Sequence, residues 1–204
     1  MVLVAWIIGI NLTLPQFIAA PPYTFSAPAA AAAWLAPMLG AFLGGAWGHF
    51  FNDWLANRYI RTHDGRFKAE IRLLGTYAPT LIGFVGLVLF GQALQHGLHW
   101  IAIELAWSFI AFAMVAATTA VSAYCLDCFP QHASVVAAII NLWRTTGGFC
   151  VVYFQFKWIA TSGFGVTFGC QAMTLGVAFV AGVLTTQFWG GKWRMRNPPP
   201  QAEN

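Results

Sequence analysis

Glu104 is the lone charge inside one long apolar run, and Arg144 lies near the middle of another whose further charge, Lys157, falls at its end; that placement is the first chemical signal in the sequence. A charge at hydrocarbon depth costs about 2.5–3.5 kcal/mol on insertion scales, so it persists where it meets a counter-charge, water or a polar ligand. At about 100° per residue, Ser134, Ala137, Asn141, Arg144, Gly148 and Gln155 share one small or polar helix face. Glu104, Ser108, Ala111, Thr118 and Ser122 form a similar stripe on the segment before it. Two such faces suit the lining of a common polar interior; the competing reading is a structural Arg144–Glu104 ion pair without a ligand. Asn11, Gln16 and Gln171 add amides that suit a cavity or an interhelical hydrogen bond. Trp107 and Trp143 offer aromatic faces to an organic ligand or to packing. The expected substrate cavity therefore comprises Asn11, Glu104, Asn141, Arg144 and Gln171.

A second constellation is the polar connection from Gly48 through Asp53, Arg58, Arg61, Asp64-Gly65-Arg66 and Glu70 to Arg72. An acid here can face the positive N-terminus of a neighbouring helix, and the arginines can pair with acids on adjoining helix ends. A small shift then makes or breaks several contacts together. Asp53, Arg58, Arg61, Gly65 and Arg66 are the expected gating residues; the plainer reading is a solvated loop that sets orientation.

Other motifs are weaker. Cys125-Leu-Asp-Cys128 with His132 nearby has no second cysteine pair in a comparable loop, so a zinc site is not expected. Gly163-x-Gly165-x-x-x-Gly169 follows an apolar helix rather than a strand and lacks the Gly-Lys-Ser/Thr ending of a phosphate loop. An intramembrane hydrolase would need a Ser–His or paired-acid centre at depth, but the five histidines fall at or near helix ends. No catalytic residues, metal or cofactor are expected.

The elements that must position these residues follow from composition. Of 204 residues, 59% are hydrophobic and 8% are Asp, Glu, Lys or Arg, against roughly a quarter charged in an ordinary soluble domain. Mean hydropathy is +0.66. A chain so poor in charge cannot coat a water-facing surface, which excludes a soluble enzyme, a disordered protein and a nucleic-acid binder. Crossing about 30 Å of hydrocarbon takes about 20 apolar residues. Six stretches qualify: about 3–20, 29–51, 73–95, 99–124, 133–158 and 165–189. None alternates with a period of two, so the expected fold is an all-α integral membrane protein with six transmembrane helices over residues 1–191. The first stretch lacks the basic start of a secretory signal and reads as a membrane helix. Ala36, Gly40, Gly44 and Gly48 repeat every four residues, a spacing that lets two helices approach closely in lipid.

Eight of the ten basic residues fall between the second and third helices or after the sixth. With alternating helices the positive-inside rule makes that side, and both termini, cytoplasmic. The tail, residues 192–204, is basic and proline-rich and reads as unstructured.

The polar connection of 48–73 resembles the loop signature between the second and third helices of each six-helix half in the major facilitator superfamily. Asp127-x-Phe-Pro130, Asn141-x-x-Arg144-x-x-x-Gly148-Phe149, Phe168-Gly169-x-Gln171-Ala172 and Asn11-Leu-x-Leu-Pro15 are similar to fungal drug:proton-antiporter-like transporters, and they cover nearly the whole chain. The resemblance extends to the C-terminal six of that family's twelve helices. It implies a half of the major facilitator fold, transport of a small-molecule substrate by alternating access, and as partners a lipid bilayer and an N-terminal six-helix half. The plasma membrane is one location it allows. Ala69 stands where the signature leads one to expect proline, and the antiporter signature belongs to the half this chain lacks. A fragment, or a truncated non-transporting membrane protein, is the alternative.

Overall fold

The computed structural model describes residues 2–63 and 68–196, and among these every regular element is helical. Five apolar helical stretches are long enough to cross a membrane: Val2–Ala19 (α1), Ala27–Thr62 (α2), Ala69–Gln95 (α3), Trp100–Cys128 (α4) and Pro130–Gly190. The fifth holds 61 residues, about 90 Å at 1.5 Å per residue and far beyond a single crossing. Gly163, with φ 76° and ψ 169°, breaks it into α5 (133–162) and α6 (164–196). The side chains of Gln155 and Gln171, each eight positions from Gly163, meet at 3.4 Å. Two residues sixteen apart in a straight helix would lie about 24 Å from each other, so α5 and α6 form an antiparallel hairpin centred on Gly163. The chain is thus an integral, multi-pass, all-α membrane bundle.

Gly163 occupies the part of backbone space open essentially to glycine alone. The Gln95 side chain at the end of α3 holds the turn by accepting from the Gly165 N–H at 3.2 Å. Gly163→Ala is expected to destabilise the chain by about 1–3 kcal/mol, read as an earlier thermal unfolding of the detergent-purified protein.

Element boundaries differ from the sequence expectation at several helix ends. The second helix runs from Ala27 to Thr62 rather than ending near 51, through a π-helical turn at Trp47–Phe51 and an amphipathic extension, Asn52–Thr62. The third begins earlier, as a 3₁₀ segment from Ala69 to Thr76. The sixth continues through Gly190 and Gly191 to Arg196, so no helix end separates the bundle from a tail at 192; residues 197–204 lie outside the described ones. Within α2 the chain turns at Trp34. Pro37 has no N–H to offer the carbonyl of Ala33, which interrupts the ladder there.

Small residues set the packing. The Gly40–Gly44–Gly48 stripe of α2 lies on Ser108, Phe112 and Thr119 of α4, and a Cβ at Gly44 would come within 2.5 Å of the Phe112 carbonyl oxygen. Gly83 and Gly86 of α3 abut Ala113 and Ile110 of α4, while Gly148 of α5 receives Ile8 of α1. Where backbones approach this closely, van der Waals contact replaces side-chain bulk as the source of association in lipid. The core gathers Ile10, Leu14, Leu87, Phe90, Trp107 and Phe168, each fully or almost fully buried.

The two ends of the bundle differ. One carries the α2–α3 connection, the end of α4 and the end of α6, and with them Arg58, Arg61, Arg72 and Lys192. The opposite end is tied by Tyr23, whose hydroxyl donates to the carbonyls of Leu98 (2.7 Å) and Ala93 (3.3 Å). Partial burial pushes the Tyr23 phenol above its ordinary pKa.

Candidate functional site: a cavity arginine, a distant acid and an ion triad

At the arginine-rich end, Arg72 bridges two helices from the start of α3. Its Nη1 donates to Asp53 Oδ1 of α2 at 3.2 Å and its Nε donates to Asp127 Oδ2 of α4. His49 Nδ1 lies 3.6 Å from the other Asp53 oxygen. The Arg72 side chain is 19% exposed, so this pairing is shielded from water more than a surface bridge is. Of the residues expected to gate, Asp53 is in the triad. Arg58 instead lies over the Trp54 ring at 5.2 Å, and Arg61 is exposed. Gly65 and Arg66 lie outside the described residues. The cation that meets Asp53 is Arg72, and the second acid is Asp127. Both are visible in the sequence as charges that alternating helices bring to one end.

The expected cavity residues are distributed over separate places. Asn141 and Arg144 share a groove of about 440 Å³ between α5 and α1, closed on the α1 side by Val4 and Ile8. Arg144 also lines a second cavity of about 270 Å³ with Thr118 and Ser122 of α4. No described residue makes an ion pair or hydrogen bond with Arg144. The Arg144–Glu104 ion pair is not formed. Thr118, which shares the Arg144 cavity, is fourteen positions from Glu104 along α4, about 21 Å at 1.5 Å per residue.

Glu104 opens instead into a cavity of about 590 Å³ at the opposite end, walled by Phe25, Trp100 and Leu39. It is 9% exposed, and its Oε2 is buried without a hydrogen-bond partner. Asn11 is engaged between helices, its Oδ1 accepting from Trp107 Nε1 at 3.1 Å. Gln171 is fully buried and donates from Nε2 to Gln155 Oε1 across the α5–α6 hairpin. These two amides hold helices together rather than face open space.

Cys125 and Cys128 form no disulfide among the described residues, and no group of three His, Cys, Asp or Glu among them is placed to hold a metal ion.

Curated relatives are similar in sequence across much of the chain. Protein HOL1 of Saccharomyces cerevisiae is 28% identical over 179 residues, which is 86% of this chain and 30% of that protein. Dityrosine transporter 1 of the same yeast is 27% identical over 126 residues, 61% of this chain and 22% of its own length. MFS-type transporter penM of Penicillium rubens is 28% identical over 163 residues, 79% of this chain and 30% of its own. The chain is similar to fungal proteins of the major facilitator type. It spans less than a third of the length of these relatives. No family model matches it, and no solved structure does. An all-helical bundle with five apolar stretches, the last folded back on itself, agrees with one half of a major facilitator fold.

Proposed function

We propose that the chain forms one half of a major-facilitator-type secondary transporter, moving a small molecule by alternating access between two six-helix halves. Relatives named as transporters support the reaction class, and their greater length supports a second half that is not part of this chain. The observation that carries the reading is Arg144, a charge at the depth of an apolar bundle with no partner among the described residues and open space on two sides. A charge so placed is a functional feature by default, because a merely structural one would be paired.

In this reading Arg144 and Asn141 line the transport cavity and Glu104 stands at its outer mouth. Asn11 and Gln171 fix the helices that carry the wall. The Asp53–Arg72–Asp127 triad latches the end assigned to the cytoplasm, where the excess of Lys and Arg lies. Rocking of one half against the other would open and close that end.

Arg144→Ala in the transport-competent protein is expected to lower the transport rate at least about tenfold at unchanged membrane abundance, the effect of removing one charge-assisted contact to substrate. A wild-type rate would remove Arg144 from the mechanism. A chain that reaches the membrane but moves nothing, even with its partner half present, would favour a non-transporting assembly role.

A further inference from the structure

The cavity between α1, α3, α4, α5 and α6 has a polar chemistry of one sign. Its charged group is Arg144, and its other polar groups are hydroxyls. Thr76 and Thr80 use their O–H groups internally, donating to the carbonyls of Leu73 and Thr76 at 2.7 Å each. Thr118 and Ser122 make no hydrogen bond within the described structure, so each brings a free O–H donor to the same space. They stand four apart on α4, on one helix face. One guanidinium and two hydroxyls therefore converge as donors, with no carboxylate in the lining.

Nor does any described acid supply the missing charge. Asp53 and Asp127 hold Arg72. Glu104 lines a different cavity. Glu70 is engaged, and not with Arg144. The remaining lining is apolar, with Leu3, Ile140 and Phe179 among it. Phe179 and Val183 come from the π-helical segment Phe179–Leu184 of α6. Single-turn π segments are uncommon and frequently mark functional sites.

We propose that this cavity binds an amphiphilic organic anion, a carboxylate or phosphate head on an apolar body, with the head on Arg144, Thr118 and Ser122 and the body among Leu3, Ile140 and Phe179. The proposal rests on the reading of Arg144 as a cavity-lining residue and adds the class of ligand. A guanidinium pairs with an oxyanion through parallel N–H donors, and such charge-assisted bonds are about twice as strong as neutral ones. A quaternary ammonium of equal length fills the same apolar space but offers those donors no acceptor, and a neutral alcohol accepts from them without the charge that makes the oxyanion contact strong.

The test uses the whole chain purified in a non-ionic detergent, with thermal unfolding followed by tryptophan fluorescence. Octanoate is expected to raise the unfolding temperature, whereas 1-octanol and octyltrimethylammonium are not. In Arg144→Gln the apparent octanoate affinity falls roughly tenfold to a hundredfold, the loss expected for a charge-assisted contact, and Arg144→Lys lies between. Should Arg144→Gln fail to fold, the double variant Thr118→Val, Ser122→Ala removes two donors and keeps the charge, and a several-fold weaker response is expected. Lipid extraction separates the sources: phosphatidate that co-purifies with the wild type and not with Arg144→Gln assigns the ligand to the leaflet, whereas an octanoate response without it assigns a soluble anion. Equal stabilisation by octanol, or an undiminished octanoate response in both variants, overturns the proposal. A chain that binds octanoate in this way but transports nothing would end the transport reading and leave this one standing; transport with no preference for anions would do the reverse.

Discussion

Gly40→Val is expected to leave little folded chain in the membrane. A Cβ at Gly40 would press into the carbonyl oxygen of Ser108 and lie 2.8 Å from its Oγ. The obstructing atom is backbone, which cannot turn aside as a flexible side chain does. Relief requires α2 and α4 to separate, and the contacts of Gly44 with Phe112 and of Gly48 with Thr119 are lost with it. Overpacking a core typically costs 1–3 kcal/mol; here one added side chain opens a whole helix interface, so a loss of about 3 kcal/mol or more is expected. That is a large part of a net stability of about 5–15 kcal/mol. Gly169 and Gly176 supply the control, because a Cβ at either meets nothing within 4 Å. Alanine there is expected to change stability by less than about 0.5 kcal/mol. Size-exclusion profiles and melting temperatures of the three variants decide the matter. A monodisperse Gly40→Val protein with the wild-type melting point would show that this interface does not hold the bundle.

The same stripe marks how far the sequence reaches. Ala36, Gly40, Gly44 and Gly48 are legible because a repeat of four keeps one helix face, whatever that face meets. The polar stripe of α4 is legible in the same way, but its use is not. Ser108 packs on Gly40 of α2, Glu104 opens beside Trp100 and Phe25, and Thr118 and Ser122 line the cavity that Arg144 also lines. Packed helices cross at an angle, so one face meets different neighbours along its length. Periodicity gives the face and leaves the neighbour open. Asn11 and Gln171 illustrate this from the other side. Their polarity is plain in an apolar run, yet whether an amide lines a cavity or bonds to Trp107 or Gln155 depends on the rotation of two helices about their axes.

Helix ends were hidden for a different reason. Hydropathy falls at Asn52-Asp53, but the helix does not stop there. Asn52–Thr62 continues as an amphipathic helix with Ala56 buried and Arg58 and Arg61 exposed. The reversal at Gly163 was visible as a small, polar interruption between two apolar runs. Its tightness was not, since it depends on a backbone conformation that a sequence permits but does not require.

Arg72→Gln is expected to release the arginine-rich end. The substitution removes the cation shared by Asp53 and Asp127 and leaves two carboxylates facing each other across α2 and α4. Breaking a pair in this way costs more than the pair was worth, because the uncompensated charges remain. Asp53 is half exposed, which screens part of the effect. A shift of about 1–3 kcal/mol in the balance between closed and open forms is therefore expected, which is a 5- to 150-fold change in their ratio. Cys128, next to Asp127 at the end of α4, reports the change directly: its labelling by a water-soluble thiol reagent should quicken in Arg72→Gln and less so in Arg72→Lys, which keeps the charge but not the two-pronged geometry. On the transporter reading proposed above, transport should fall alongside, since a latch that no longer closes removes one of the two states that alternating access needs. Exchanging the charges, Arg72→Asp with Asp127→Arg, rebuilds one acid–arginine pair between α3 and α4 but sets a second acid beside Asp53, so it is expected to recover both readouts only in part. Unchanged labelling in Arg72→Gln, or a double exchange no better than either single change, would reduce the triad to a surface ion pair with no part in gating.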